Sequence, residues 1–204
     1  MRDFYSRSCQ LYFVYGSNMN NEQIHSRCLN PEAFAIARLS NHKISFFGYS
    51  KTWDGGEESV IREPGEDIWG VIYKLSFSDA DRLDAWQDIR LDGNGSHFLY
   101  PTNVVDMEGK KYPVLLIKKD ILGSPEKPTE EYLNYIVSGA LFHALPSGYI
   151  EKLKKIETKK ASFPVPKKSK FDRSILADLS CDCGDCGTST KNGLGLRTEI
   201  SANR

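Results

Sequence analysis

The sequence predicts an α+β fold, a small mixed β-barrel with flanking helices in a single domain, followed by an irregular C-terminal tail. Short strand patterns outnumber helical ones and rarely alternate with them, which disfavours a doubly wound parallel sheet. After residue 151 large apolar residues become scarce and Lys, Ser, Gly and Thr become frequent. Such a composition buries too little apolar surface to offset its chain entropy. We therefore place a domain at residues 1–156 and a basic, cysteine-containing tail at residues 157–204.

The first predicted element is a buried strand that ends in a tight loop. Residues 11–15 form an apolar and aromatic run, which Gly16-Ser17-Asn18 stops. Asn20 can cap the N-terminus of a polar helix over residues 20–27. The loop is therefore expected between the end of a strand and the start of a helix.

The rest of the domain contains further strands and three helices. Apolar and β-branched residues predict strands at residues 43–47, 59–61, 68–75, 100–105 and 112–117. The last two strands are expected to form a hairpin, and Pro64-Gly65 is expected to be a turn. Helical periodicity predicts helices at residues 79–86, 130–141 and 147–156. Ser78 and Thr129 are the expected N-caps of the first two of these helices.

Formal charge is balanced overall but divided unevenly along the chain. The 204 residues contain 27 Lys and Arg and 27 Asp and Glu, so no global positive charge points to a nucleic-acid partner. Residues 152–204 hold twelve basic and six acidic residues, a net of +6, which leaves −6 for residues 1–151. Neither a membrane-spanning apolar run nor a signal-peptide pattern is visible. We expect a cytoplasmic protein without membrane or nucleic-acid partners.

Three of the five cysteines, Cys181, Cys183 and Cys186, are crowded into the tail. An odd cysteine count without an export signal argues against a disulfide framework. A C-x-C-x-x-C spacing could bring three sulfurs to one soft metal, but a structural site needs four ligands and His143 is the last histidine. We expect a thiol-rich tail without a metal, and metal or partner-thiol binding is the alternative.

The segment Tyr15-Gly16-Ser17-Asn18-Met19 has the features of a cradle for an anion or carboxylate. Gly16 permits unusual backbone dihedrals, and successive N–H groups ahead of a helix N-terminus can point inward. On these grounds alone a plain structural turn remains the alternative.

Several ordered segments resemble the gamma-glutamyl cyclotransferase family, which has the AIG2-like cyclotransferase fold. The resemblance spans about residues 11–156 and is carried by Tyr12-Phe13-Val14-Tyr15-Gly16-Ser17-Asn18-Met19, Ala37-Arg38-Leu39, Thr52-Trp53-Asp54-Gly55-Gly56, Pro64-Gly65-Glu66-Asp67-Ile68-Trp69-Gly70-Val71-Ile72-Tyr73 and Leu83-Asp84. It implies a small mixed β-barrel with flanking helices. It leaves the tail uncovered.

The resemblance also implies a reaction that uses no cofactor and no metal. The α-amino group of a γ-glutamyl amide attacks its own γ-carbonyl, which releases 5-oxoproline and a free amine. Ring closure requires the glutamyl unit to be held in a reactive geometry and a group that moves a proton. By resemblance, the backbone amides of Gly16, Ser17 and Asn18 grip the glutamyl unit, Tyr15 and Met19 flank them, and Tyr132 lies nearby.

The family's proton shuttle is a glutamate in the pattern Leu-Asp-x-x-Glu, but this chain reads Leu83-Asp84-Ala85-Trp86-Gln87. A glutamine side chain can hydrogen-bond a substrate, yet it has no proton equilibrium near neutrality. We therefore expect a chain that binds γ-glutamyl amides and turns them over slowly or not at all.

Three explanations of Gln87 stay open. It is a deliberate Glu→Gln change that traps a substrate complex, or a mark of a natural non-catalytic binding protein, or a sign that another carboxylate has taken over. Asp88 is the nearest candidate for that role, but consecutive helical residues point about 100° apart. In a separate alternative, the basic tail docks on an acidic partner. The segments at 50–53 and 89–97 are expected to select the leaving amine.

Overall fold

The structure, a computed structural model, describes residues 9–167. In these residues the elements are, in chain order, β1 (Cys9–Val14), α1 (Asn21–Arg27), β2 (Glu32–Ser50), β3 (Gly55–Ser76), α2 (Phe77–Trp86), β4 (His97–Asp106), β5 (Lys111–Lys119), α3 (Glu130–Phe142) and α4 (Ser147–Lys154). A 3-10 turn at Ser17–Met19 lies between β1 and α1. None of the described helices is long and apolar enough to cross a membrane.

The five strands close into a barrel in the order β1-β3-β2-β4-β5. β1 closes it by pairing in parallel with β5, where Tyr12 lies opposite Leu115, and all other pairings are antiparallel. Closure gives each of the five strands two neighbouring strands. The predicted α+β fold with a mixed barrel and flanking helices is therefore confirmed for the described residues.

β2 and β3 form one long hairpin of 19 and 22 residues, whereas the sequence patterns predicted only three short strands there. Pro64-Gly65 is not a chain reversal: Ser40 pairs with Asp67 and His42 with Arg62, so the intervening residues form an irregularity inside β3. Gly65 has a φ of +87° there, which glycine adopts without steric cost. The sequence pattern predicted a turn because it does not reveal that β2 pairs with β3 on either side of the Pro-Gly bulge, which therefore does not end the strand.

The helix caps follow the predicted residue types with one shift. Thr129 caps α3, as expected, by accepting a hydrogen bond from the Tyr132 N–H. The cap of α2 is Ser76 rather than Ser78, because the Ser76 hydroxyl accepts the Asp79 N–H at 3.1 Å. α2 therefore begins directly where β3 ends.

Two carboxylates of α2 fix this helix to the start of the chain. Asp79, which is 2% exposed, accepts the N–H groups of Leu29 at 2.6 Å and Asn30 at 3.1 Å. Asp84 accepts the Tyr12 hydroxyl at 3.0 Å. Burial raises the pKa of Asp84 to about 6, and the Tyr12 hydrogen bond opposes that rise. Asp79 thus fixes the start of α2 to the segment after α1, and Asp84 fixes the C-terminal half of α2 to β1.

The chain continues against the domain after residue 156. Lys159 exchanges backbone hydrogen bonds with Pro128 and Glu130, and Asp54 accepts the N–H and hydroxyl of Ser162. The boundary at residue 156 stays a prediction. The expected short helix near residues 172–179 and the cysteines Cys181, Cys183 and Cys186 lie outside the described residues.

Replacement of Asp79 by alanine should destabilise the fold by about 2 kcal/mol, because two N–H groups lose a charged acceptor in a buried position. Urea unfolding monitored by circular dichroism measures the change. Asp81→Ala, on an exposed position of the same helix, is the matched control. Equal midpoints for the two variants would contradict the role assigned to Asp79.

Candidate functional site

The segment Tyr15–Met19, which we call the β1 loop, leaves the end of β1 as a 3-10 turn. The Met19 N–H donates to the Gly16 carbonyl and the Asn20 N–H to the Ser17 carbonyl, both at 3.0 Å. Tyr15 is buried, and its hydroxyl donates to the Ile117 carbonyl on β5 at 3.0 Å. Burial, followed by the charge of Glu58, holds the pKa of Tyr15 well above its usual value, so this side chain is a neutral donor.

α1 fixes the polar side chains of the β1 loop. Gln23 donates to the Ser17 hydroxyl at 2.7 Å, and Arg27 donates to the Asn18 side-chain oxygen. Ser17 and Asn18 are both buried. The loop is thus rigidly held before any ligand arrives, which lowers the entropy cost of binding.

α3 covers the other side of the β1 loop. Met19 is fully buried, and a Cβ atom on Gly139 of α3 would lie 2.5 Å from the Met19 carbonyl carbon. Asn20 donates to the Ser138 hydroxyl of α3 at 2.9 Å. Met19 therefore packs the loop against α3, and a substrate contact by Met19 stays a prediction.

Gly16 is required by a close approach and not by a left-handed backbone. The φ angle of Gly16 is −108°, which lies outside the left-handed region. The expectation that this position needs a glycine for an unusual backbone dihedral therefore does not hold in the form of a positive φ. A Cβ atom on Gly16 would lie 2.0 Å from Oε1 and 2.6 Å from Cδ of Glu58. The space beside Gly16 is therefore filled by the carboxylate of a residue on β3.

Glu58 is a site residue that the sequence analysis missed. Its Oε1 accepts the Ser17 backbone N–H at 3.1 Å, while its Oε2 is buried and accepts no hydrogen bond within the described part of the chain. Burial, followed by the charge of Glu57, raises the pKa of Glu58 to about 7, against the backbone N–H of Ser17 and the charge of Arg27. The acidic pair beside the Gly55-Gly56 segment was the available sequence signal.

Glu57, by contrast, is neutralised by neighbours. Lys119 lies 3.0 Å from the Glu57 Oε2, and His97 Nε2 lies 4.0 Å from the same atom. Burial lowers the pKa of His97, whereas Glu57 and a hydrogen bond with the Gln87 backbone act in the opposite sense. The two neighbouring carboxylates of β3 thus have different environments.

Gln87 forms the C-cap of α2 and donates its backbone N–H to the Leu83 carbonyl at 3.0 Å. Two contacts relate this end of α2 to the site. The guanidinium of Arg27, which also binds Asn18, lies 5.5 Å from the centre of the Trp86 ring, and His97 connects the Gln87 backbone with Glu57. Position 87 is therefore adjacent to residues that contact both the β1 loop and β3.

Asp88 lies in the turn that follows α2, and its carboxylate has a hydrogen-bond partner there. It is exposed with a φ of +50°, and its Oδ2 accepts the Ser96 N–H at 3.0 Å. This carboxylate stabilises the turn that follows α2. The structure therefore gives no support to the transfer of the shuttle role to Asp88.

Tyr132 lies in an aromatic cluster under the start of α3. It is 1% exposed, its ring stacks on Trp53 with centroids 4.1 Å apart, and Phe46 contacts it edge-on. Thr129 reinforces the cluster by donating to the Trp53 carbonyl at 2.9 Å. Tyr132 belongs to the helix that packs on the β1 loop, and its contact with a substrate stays a prediction.

Replacement of Glu58 by glutamine should make stability less dependent on pH. A carboxyl pKa raised from 4.5 to about 7 in the folded state contributes stability that is complete below pH 4.5 and is lost as pH rises through 7. We expect the Tm of Glu58→Gln to exceed that of the parent by a few degrees at pH 8 and to match it near pH 4.5.

Differential scanning fluorimetry across this pH range provides the measurement. Glu63→Gln removes a carboxylate from the same strand that pairs with Lys43 at the surface, and it is the matched control. A Tm difference between Glu58→Gln and the parent that does not change with pH would contradict the environment assigned to Glu58.

Comparison with known proteins agrees with the barrel fold. The AIG2-like family model matches residues 67–153. Human gamma-glutamylcyclotransferase is 35% identical over 155 residues, which cover 72% of this chain and 78% of that protein. The mouse gamma-glutamylcyclotransferase is 33% identical over the same shares. A solved structure of a gamma-glutamyl cyclotransferase superposes with a TM-score of 0.72 at 31% identity, covering 83% of this chain and 99% of that one. The resemblance seen in the sequence is confirmed, and the chain belongs to the gamma-glutamylcyclotransferase family.

Proposed function

We propose that this chain binds γ-glutamyl amides at the β1 loop and converts them slowly to 5-oxoproline and a free amine. The observation that carries the proposal is the hydrogen bond from the Ser17 N–H to the Glu58 carboxylate at 3.1 Å. In that contact a loop amide already holds a carboxyl oxygen, which is what gripping a glutamyl unit requires. Family membership supports the same chemistry.

The β1 loop contributes to ring closure by positioning. The α-amino nitrogen must approach the γ-carbonyl carbon of the same molecule, and a loop held rigidly by α1 and α3 restricts the glutamyl unit to such conformers. Effective molarities for well-oriented intramolecular reactions reach about 10⁵–10⁸ M. Holding the glutamyl unit is thus the largest contribution that these residues can make.

Gln87 limits the proton transfers. Its amide N–H can donate a hydrogen bond to the γ-carbonyl oxygen, but the amide cannot take a proton from the α-ammonium group or return one to the leaving amine. General acid–base catalysis contributes about 10²–10⁴-fold to rates. We therefore attribute slow turnover to this position.

Restoring the carboxylate tests the assignment. Gln87→Glu should raise the rate of 5-oxoproline release from a γ-glutamyl dipeptide by about 10²-fold or more, while calorimetric affinity for the dipeptide stays within a few-fold of the parent. Gln87→Ala is the matched control and should show no gain.

If Gln87→Glu binds the dipeptide but remains as slow as the parent, residue 87 is not the shuttle position. If neither form binds any γ-glutamyl compound, the proposed ligand class is wrong. A non-catalytic γ-glutamyl-binding protein, which Gln87 itself favours, is the second candidate, and it predicts binding by the parent with no turnover even when enzyme is in excess.

The leaving amine is expected to meet the segment 89–96, which lies between position 87 and β4. It contains the fully exposed Leu91, and Gly93 has a φ of +73°. Asp88 holds its far end through the Ser96 N–H. We propose that this segment forms the rim that selects the amine, since rim loops of this kind vary in sequence without altering the scaffold.

A further inference from the structure

We propose that Glu58 is the carboxylate that accepts the proton of the substrate's α-ammonium group in this chain, in place of a glutamate at position 87. This inference rests on the proposed function and deepens it. It names the residue that carries the proton in the slow turnover that remains with glutamine at position 87. It requires a carboxylate at the β1 loop that has an unused acceptor atom and a proton affinity suited to neutral pH.

Glu58 meets the first requirement by direct contact. Its Oε1 accepts the Ser17 N–H at 3.1 Å and lies 3.5 Å from the Ser17 hydroxyl. It also fills the space that a side chain at Gly16 would occupy. A glutamyl unit held by the amides of this loop would therefore lie next to the Glu58 carboxylate.

The second requirement, an unused acceptor atom, is met by Oε2, the other oxygen of the Glu58 carboxylate. Glu58 Oε2 is buried without a hydrogen-bond donor, the only such carboxylate oxygen among the described residues. A buried acceptor without a donor costs about 1–3 kcal/mol. An α-ammonium group would supply both N–H donors and the opposite charge. The neighbouring Glu57 already has Lys119 as a partner, and exposed Asp88 has the Ser96 N–H.

The third requirement, a proton affinity suited to neutral pH, depends on the groups that face Glu58. Burial and the negative charge of Glu57 raise its pKa to about 7, whereas Arg27 from α1 and the Ser17 N–H lower it. Tyr15, which directly follows β1, faces it as a neutral hydroxyl. The ideal pKa of a general base lies near the working pH, so Glu58 can both accept and return a proton at neutrality.

The step balances without any further reactant. The Glu58 carboxylate takes one proton from the α-ammonium nitrogen, and the freed lone pair forms the ring C–N bond at the γ-carbonyl carbon. As the original amide C–N bond breaks, the carboxylic acid gives its proton to the departing nitrogen. The ring nitrogen gives its second proton to the same departing amine, which leaves as an ammonium ion. Glu58 returns to the carboxylate form.

Glu58→Gln is the direct test, since its amide oxygen can still accept the Ser17 N–H. With enzyme in excess over a γ-glutamyl dipeptide, the rate of 5-oxoproline release should fall at least ten-fold relative to the parent, while calorimetry still detects binding. Glu63→Gln is the control and should leave the rate unchanged. In the Gln87→Glu background, Glu58→Gln should cost less than three-fold, because the carboxylate restored at position 87 then carries the proton.

The outcomes separate the two claims. The proposed role of Glu58 is overturned if Glu58→Gln and the parent release 5-oxoproline at equal rates, or if the parent shows no turnover at all. In either case, binding of the dipeptide by the parent still supports the proposed function. Tighter binding with an unchanged rate also overturns it and makes Glu58 a competitor for the loop amide. If Glu58→Gln lowers the rate of 5-oxoproline release equally in the parent and in the Gln87→Glu background, Glu58 has a role in binding or in structure and not in proton transfer. Absence of dipeptide binding by the parent and by Gln87→Glu removes the proposed function itself.

The pH profile is an independent test. The rate of the parent should rise with pH through about 7, because the ionised carboxylate is the reactive form. Glu57→Gln removes a charge that raises the pKa of Glu58, so the midpoint of this rise should move to lower pH. A purely structural role of Glu58 predicts no shift, and an unchanged midpoint contradicts the proposal.

Discussion

The position of β1 between β3 and β5 determines the rest of the structure. It is the strand that closes the barrel, through antiparallel pairing with β3 and a short parallel pairing with β5. Its end delivers the β1 loop to the barrel rim, and its Tyr12 hydroxyl holds Asp84 of α2. A single strand therefore sets the location of the loop and limits the movement of the helix that ends at Gln87. Both halves of the candidate site depend on barrel closure.

The electrostatics of the site follow from placing two adjacent, partly buried acidic residues on one strand. Alternation along β3 separates their environments, since Glu57 faces Lys119 and His97 while Glu58 faces the β1 loop. Lys119 neutralises the Glu57 carboxylate, whereas only one oxygen of the Glu58 carboxylate accepts a backbone hydrogen bond, from Ser17. Burial, followed by the charge of Glu57, raises the pKa of Glu58, whereas Arg27, which also contacts Asn18 and Trp86, lowers it.

The parts of the fold that sequence reasoning predicted are those with local signals. The strand, loop and capped helix of residues 11–27 are encoded by adjacent residues, and Thr129 caps α3 as its pattern indicates. The length of the β2–β3 hairpin was missed because pairing across a bulge depends on the partner strand. Glu58 was missed for a similar reason: its burial results from contact with Ser17, 41 residues earlier.

The carboxylate at position 58 lies on a strand, whereas the carboxylate missing at position 87 would lie at a helix end, and this difference affects proton transfer. In the proposed reaction, a proton acceptor at the C-cap of α2 would act from a helix end, whereas Glu58 would act from a strand of the barrel wall. Because the β2–β3 pairing fixes the backbone of Glu58, its carboxylate has fewer accessible positions than a side chain at a helix end, and fewer positions imply a smaller entropy cost of alignment. The same burial raises the pKa of Glu58 to about 7, so the gain in alignment is offset because part of the Glu58 population is protonated at neutral pH and cannot accept a proton. Slow but directed proton transfer is what this balance predicts for a cyclotransferase site whose carboxylate lies on the strand instead of the helix.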